Sequence, residues 1–201
     1  TSIIKTAADA VYTSKLKKGN TVVEALTLLF NYVFEKEKWP ERWGSGIIFP
    51  LFKQDNRLKP GNYRPITLLS VVGKLFGSII ECRLSNWSEA TGAITDEQGG
   101  FRRGRGTPDQ IFLLREIISS RTERHLPTLV TYIDVRKAYD TVWREGNYVR
   151  LYDNGVQGKM WRQIQAMGNG LRSKVRLPFG ETEWFEVRRG VAQGAAESPW
   201  L

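Results

Sequence analysis

Apolar residues recur at three- and four-residue steps through Val22, Leu26, Leu29, Phe30, Val33 and Phe34, which predicts a helix with one buried face that Trp39-Pro40 ends. The basic stretch before it reads as a short helix closed by the Gly19-Asn20 turn. The apolar run Ile47–Phe52, which delivers Lys53, and the second run Asn62–Leu69 flank a polar, turn-rich segment, the pattern of a β-hairpin. Leu75, Ile79, Ile80 and Leu84 mark a helix over residues 71–90, with Cys82 and Trp87 along it. Thr107 as N-cap, Pro108 at the first helical position and Gln110 in a capping box precede the periodic Ile111, Leu114 and Ile118, which predicts another helix. Leu129 to Ile133 is β-branched and aromatic, a strand that ends on Asp134 and turns at once toward a helix. Two further helices, 142–151 and 159–167, are separated by Asp153-Asn154-Gly155. Strands at 172–177 and 184–187 then surround Pro178-Phe179-Gly180-Glu181. Helices interleaved with short strands make an α/β (α+β) fold.

Composition narrows the partner rather than the fold. With 201 residues the chain suits one domain or one and a half, and 41% hydrophobic and 11% aromatic residues place it among globular proteins. Thirty Lys and Arg against 21 Asp and Glu leave a net charge of +9, which points to a polyanion, nucleic acid before membrane. The single Cys82 excludes a disulfide within the chain and a Cys-rich zinc site, and suits a reducing, intracellular compartment. No apolar run reaches membrane-spanning length and no signal peptide is visible, so no membrane partner is expected. Thr1 in place of Met, and an end at Leu201 shortly after Ser198-Pro199, suggest a piece of a larger polypeptide.

Four stretches carry candidate chemistry. Lys53 and Arg64, one on each arm of the hairpin, are either solvated surface cations or a clamp for a triphosphate, the Arg as a fork and the Lys as a point charge. The loop from Glu97 to Gln110 holds Phe101, Arg102, Arg103 and Arg105 among glycines; such glycines let backbone approach a phosphate chain, and the Phe offers a stacking face. Asp134 at a strand end is a turn former, a helix cap or a carboxylate facing a cleft. The Gly-rich turn Gly190–Pro199 is by itself an ordinary loop. The only histidine, His125, lies in a polar connector with no second ligand nearby and reads as a surface residue.

Lys59-Pro60-Gly61-Asn62-Tyr63-Arg64-Pro65-Ile66-Thr67-Leu68-Leu69-Ser70, followed by Lys74, strongly resembles the fingers motif of reverse transcriptases of non-LTR (LINE-type) retrotransposons. Trp39-Pro40, Trp43 and Phe49–Lys53 fit the segment just upstream in that family, the Gly100-Phe101-Arg102 loop fits the next motif, and Gln193-Gly194 with Ser198-Pro199 fits the last. The resemblance runs from about residue 22 onward without a large gap. It implies a right-hand polymerase with a fingers region over residues 1–128 and an incomplete palm over 129–201, built on a mostly antiparallel sheet with packed helices. By the same resemblance Lys53 and Arg64 hold the incoming nucleotide's phosphates, and Phe101, Arg102, Arg103 and Arg105 lie beside template and primer. Asp134 is implied as the catalytic metal-binding carboxylate, with the Val135 carbonyl also facing metal. Tyr139 lies under the sugar, and Gln193 and Gly194 lie against the nucleotide and template base.

The implied activity is RNA-directed DNA synthesis: dNMP transfer from dNTP to a DNA primer 3′-hydroxyl on an RNA template, with two Mg²⁺ ions that only oxygen ligands hold well. An RNA-templated RNA polymerase would more typically carry an acidic residue where Tyr139 stands; a bulky ring there would clash with a 2′-hydroxyl, which favours dNTP. Asp140, six residues after Asp134, is expected instead to cap the following helix. Two departures stand out. Glu197 occupies a position that is more often aliphatic in the family, and the Ala-Asp-Asp hairpin with the remaining catalytic carboxylates is absent, as is the thumb. The isolated piece is therefore expected to be inactive, with the thumb and possibly an endonuclease elsewhere in the parent polypeptide, in the nucleus or in a cytoplasmic ribonucleoprotein. A non-catalytic nucleic-acid-binding module and a group II intron-type maturase reverse transcriptase remain alternatives.

Overall fold

A computed structural model describes residues 21–192 and 194–200. The helix expected before Gly19 and the position of Gln193 lie outside the described residues. The chain forms two compact units, one running to Leu84 and resuming at Lys137, the other spanning Ser85–Arg136. These limits do not coincide with a division at residue 128.

The first unit is organised by aromatic packing. Helix α1 (Thr21–Lys36) buries Phe30 and Val33 while leaving Val22 exposed, so the apolar stripe takes effect from its third turn. Phe30 meets Trp43 edge-on at 6.0 Å and Phe76 at 5.5 Å, and Trp39 closes the group against Trp43 at 5.1 Å. Phe76 lies on helix α2 (Val71–Thr91), whose buried line is Phe76, Ile80 and Leu84 at the i, i+4, i+8 spacing of one helix face. Leu75, expected inside, is 46% exposed because that face is turned by one position.

Strand β1 (Ser45–Phe52) pairs antiparallel with β2 (Tyr63–Leu68), Pro50 opposite Pro65, which confirms the hairpin. β1 also pairs in parallel with β3 (Arg172–Leu177), against which β4 (Gly180–Glu181) and β5 (Phe185–Glu186) lie antiparallel. The sheet order is β2-β1-β3-β4 with β5 on β3, mostly antiparallel as expected.

Between β2 and β3 within this unit come the short helix α4 (Ala138–Thr141), α5 (Arg144–Asp153) and α6 (Gly158–Gly168). The intervening helix α3 (Thr107–Glu123) belongs to the second unit. α6 buries Met160, Gln163, Ile164 and Met167 on one face. Its outer side docks on α1 through Lys159 to Glu35 and a two-pronged Arg162 to Glu37 pair at 2.6 and 2.7 Å. Asp140 sits inside α4 and Trp143 occupies the cap position of α5, so the expected capping role of Asp140 is not realised. A Trp143 cap works because α5 is tied down elsewhere, by Arg144.

In the second unit α3 forms where the pattern placed it, but its cap differs. Gly106 is the cap residue, and its amide donates to the Asp109 carboxylate at 2.7 Å, so Asp109 rather than Thr107 or Gln110 supplies the capping oxygen. Residues 129–135 do not form the expected strand: Leu129 is 97% and Ile133 89% exposed, in irregular chain. A β-branched sequence becomes a strand only when a neighbour takes its backbone hydrogen bonds, and among the described residues no strand pairs with it. No helix among the described residues is long and apolar enough to cross a membrane.

Buried polarity makes a clear prediction here. Gln163 is fully buried and both its amide atoms lack a hydrogen-bond partner, so Gln163→Met should raise stability by about 1 kcal/mol, whereas Phe76→Ala should lower it by about 3–5 kcal/mol, both read from urea unfolding midpoints.

Candidate functional site

The first unit brings two distant backbone segments together around Tyr139. The Gly190 amide donates to the Val142 carbonyl at 2.9 Å and the Val191 amide to the Tyr139 carbonyl at 2.8 Å. Gly190 has φ +82°, and a Cβ there would stand 2.7 Å from the Tyr139 oxygen and 3.0 Å from the Asp140 oxygen. Only glycine permits both the left-handed turn and this approach. Arg144, 7% exposed, adds a second tie by donating to the Gly168 carbonyl at 2.9 Å and the Val187 carbonyl at 2.7 Å. The return from β5 is thus fixed to the start of α5.

A cavity of about 160 Å³ opens beside this clasp, lined by Tyr139, Asp140, Thr67, Arg189, Gly190 and Val191 among others. That is below the roughly 300 Å³ of a small-molecule pocket, so it would take part of a ligand, such as a sugar ring. Tyr139 is half-buried at its edge. Gly194, at φ +123°, comes next to β2: a Cβ on it would lie 3.3 Å from the Thr67 carbonyl. Tyr139, across the cavity, and Gly194 therefore both lie by Thr67 near the end of β2.

Lys53 and Arg64 form a second group. The Lys53 amide donates to Asn62 at 2.9 Å, extending the hairpin by one rung, and Arg64 stands opposite Leu51. Alternation along paired strands puts Lys53, Leu51 and Arg64 on one face. Phe52 and Tyr63, with rings 5.4 Å apart, and Thr67 are on the other, the face of the cavity. Both cations are exposed at the hairpin's end. Their face continues onto β3 as Arg172, Lys174 and Arg176, which engage Glu41 and Glu181 and lie over Trp184 and Phe49. The period-two spacing of these three cations in the sequence signalled a basic strand face that a scaffold reading passes over.

In the second unit Asp134 and Val135 are exposed within the irregular segment. No group of three or more His, Cys, Asp or Glu side chains able to hold a metal exists among the described residues. Asp134 alone is one ligand, so the donor set present does not build a two-ion site. The Gly-Phe-Arg loop is better defined. Arg102 directs its guanidinium inward, with Nε and Nη2 on the two Glu89 oxygens at 2.8 and 2.7 Å and Nη1 on the Thr95 carbonyl at 2.8 Å. The Arg105 guanidinium donates to the Asp96 carboxylate at 2.6 Å. Both arginines, expected beside nucleic acid, are thus used within the loop, while Phe101 is 66% exposed. The Arg102 hydrogen bonds hold the Glu89 carboxyl below its ordinary range.

Glu197 is the unusual residue of the closing turn. Its Oε2 is buried without a hydrogen-bond partner, in the room left by Gly77 of α2, where a Cβ would overlap the carboxyl. It lines a cavity of about 50 Å³ with Trp39, Arg144 and Tyr148, whose Trp39 Nε1 and Tyr148 hydroxyl also lack partners. Burial raises the Glu197 pKa above its ordinary 4.5 and likewise raises that of Tyr148.

A family model described as "Reverse transcriptase (RNA-dependent DNA polymerase)" matches residues 52–201. The chain is 29% identical over 88% of its length to a probable RNA-directed DNA polymerase from transposon X-element of Drosophila melanogaster. It is 31% identical over 88% of its length to the corresponding protein of transposon BS from the same fly. Over 75% of its length it is 34% identical to a retrovirus-related Pol polyprotein from the type-1 retrotransposable element R2 of Popillia japonica. It spans only 19%, 19% and 21% of those relatives.

The buried Glu197 sets a pH dependence with a definite sign. Because its folded pKa lies above the unfolded one, its contribution is fully present below about pH 4.5 and is lost as pH rises through the folded value. Glu197→Leu should therefore stabilise the chain at pH 8 by about 1–3 kcal/mol and by less at pH 4, where the carboxyl is neutral, measured as urea unfolding free energy across pH.

Proposed function

The chain belongs to the reverse transcriptase (RNA-dependent DNA polymerase) family, and we propose that it is part of an enzyme that extends a DNA primer with dNTPs on an RNA template. The observation that carries this reading is that Tyr139, across the cavity, and Gly194, through its backbone, both lie by Thr67 near the end of β2, within the span that matches the family. The Tyr139 ring at the cavity edge would meet the sugar of the incoming nucleotide and leave no room for a 2′-hydroxyl, which selects dNTP. Gly194, lacking a side chain, lets backbone lie close to the nascent pair, with Gln193 next to it. Lys53 and Arg64 at the hairpin's end supply cations for the phosphates.

In the same proposal Asp134 and the Val135 carbonyl are oxygen ligands for Mg²⁺, completed by carboxylates that the described residues do not contain. When bound, the metal would activate the primer 3′-hydroxyl and neutralise the leaving pyrophosphate. Phe101 and Arg103, with Arg102 and Arg105 supporting them, face template and primer. Residues 1–128 correspond to fingers and 129–201 to part of the palm of an intracellular polymerase whose thumb lies elsewhere in the parent polypeptide.

The test uses the full-length parent protein on an RNA template with a DNA primer. Asp134→Asn should lower templated synthesis at least about a hundredfold with template-primer binding kept. Tyr139→Val should raise NTP incorporation relative to dNTP by at least about tenfold. Synthesis that survives Asp134→Asn, or an NTP:dNTP ratio unmoved by Tyr139→Val, would contradict these assignments. A parent protein that binds RNA and never synthesises DNA would make the chain a binding module.

A further inference from the structure

We propose that Glu89 is a positioning residue for nucleic-acid binding: through Arg102 it fixes the loop that presents Phe101 to an unpaired template base. This rests on the nucleic-acid-binding reading above and adds residues to it that no motif contains. Phe101 combines two costly features. Its φ is +61°, in the left-handed region that a bulky side chain rarely adopts, and two-thirds of its surface is open to solvent. A strained backbone and an exposed ring persist only where the surroundings over-determine them, and they collect at binding sites.

The surroundings here are specific. The Arg102 side chain is 6% exposed and its guanidinium is shared among Glu89, the Thr95 carbonyl at 2.8 Å and the Gln98 carbonyl at 3.4 Å, with Asp96 at 3.8 Å. Glu89 projects from the last turns of α2 and takes both of its prongs, which fixes the guanidinium plane as well as its place. Three residues on, Arg105 closes onto Asp96 through both the carbonyl, at 2.5 Å, and the carboxylate, at 2.6 Å. Gln110 of α3 packs where Gly99 has no side chain. The loop is thus pinned on each side of Phe101, and the residue between the pins is the one turned outward. An aromatic held in this way offers a π-face that any base can stack on, which suits a polymerase that must accept every template sequence.

Charge and positioning predict opposite signs, which makes the inference testable. Removing Glu89 takes the net charge from +9 to +10, so electrostatics alone would tighten binding to a polyanion. The proposal predicts the reverse. With the full chain and a fluorescein-labelled RNA template annealed to a DNA primer with a template overhang, anisotropy should show Glu89→Ala weakening binding by about tenfold, the loss expected for one stacked base. Phe101→Ala should lose a similar factor, and Glu89→Ala should cause no further loss in the Phe101→Ala background. Thermal unfolding is measured on each variant. If Glu89→Ala does not fold, Glu89→Gln, which keeps one acceptor oxygen, replaces it with the same expected direction. Unchanged or tighter binding by the folded Glu89 variant, or losses that multiply with Phe101→Ala, would overturn the proposal and leave the functional reading intact. Absence of template-primer binding by the unsubstituted chain would overturn both.

Discussion

Two backbone hydrogen bonds between Gly190-Val191 and Tyr139-Val142 hold the walls of the Tyr139 cavity together. Residues some fifty positions apart meet main chain to main chain, with no side chain intervening on the Gly190 side. The cavity, the half-buried Tyr139 and the turn bearing Gly194 all follow from that approach. Arg144 reinforces it from behind by donating to Gly168 and Val187, so a buried cation is satisfied by carbonyls and the return from β5 cannot drift. Beneath the same turn lies the opposite situation, a carboxyl at Glu197 and hydroxyl and indole groups at Tyr148 and Trp39 without partners. The site is therefore rigid in its backbone and polar in its support, and the polar support carries a cost that rises with pH.

The second compact unit solves a different problem with side chains. Its loop is organised by Arg102 and Arg105 folding back on Glu89 and Asp96, which converts two residues that look like phosphate contacts into posts for the exposed Phe101. Motif membership and structural role separate here: within the Gly-Phe-Arg loop the two arginines pair with carboxylates and the Phe101 ring is left exposed. The segment that carries Asp134 shows the converse. Its strand pattern is strong, yet it lies open, because strand formation needs a partner that the described residues do not offer.

Much of the fold was legible because it depends on local pattern. The stripe ending in Phe30 and Val33, the hairpin with Lys53 at its end, α2 and β3 all stand where periodicity put them. What sequence could not show was anything created by meeting of distant segments. Gly190 looked like one more glycine in a loop; its φ and its contact with the Tyr139 carbonyl exist only in the folded chain. Nothing near Arg144 in sequence announces the Gly168 and Val187 carbonyls it serves. Asp109 displaced Thr107 as the capping oxygen because the helix begins one residue earlier than the Pro signal suggests. Glu197 was conspicuous as a departure from an aliphatic position, and its burial explains why an apolar residue suits that place better.

In the proposed enzyme the Gly190 clasp places Tyr139 for the nucleotide. Steady-state primer extension by the full-length parent, titrated with dNTP, measures it directly when Gly190→Ala is compared with Gly61→Ala, a glycine in the hairpin loop with no atom near its missing Cβ. The added methyl group at residue 190 must push back the Tyr139 and Asp140 carbonyls from a left-handed turn, so KM for dNTP should rise about tenfold or more while Gly61→Ala leaves it unchanged. An unaltered KM for dNTP in folded Gly190→Ala protein would contradict the claim.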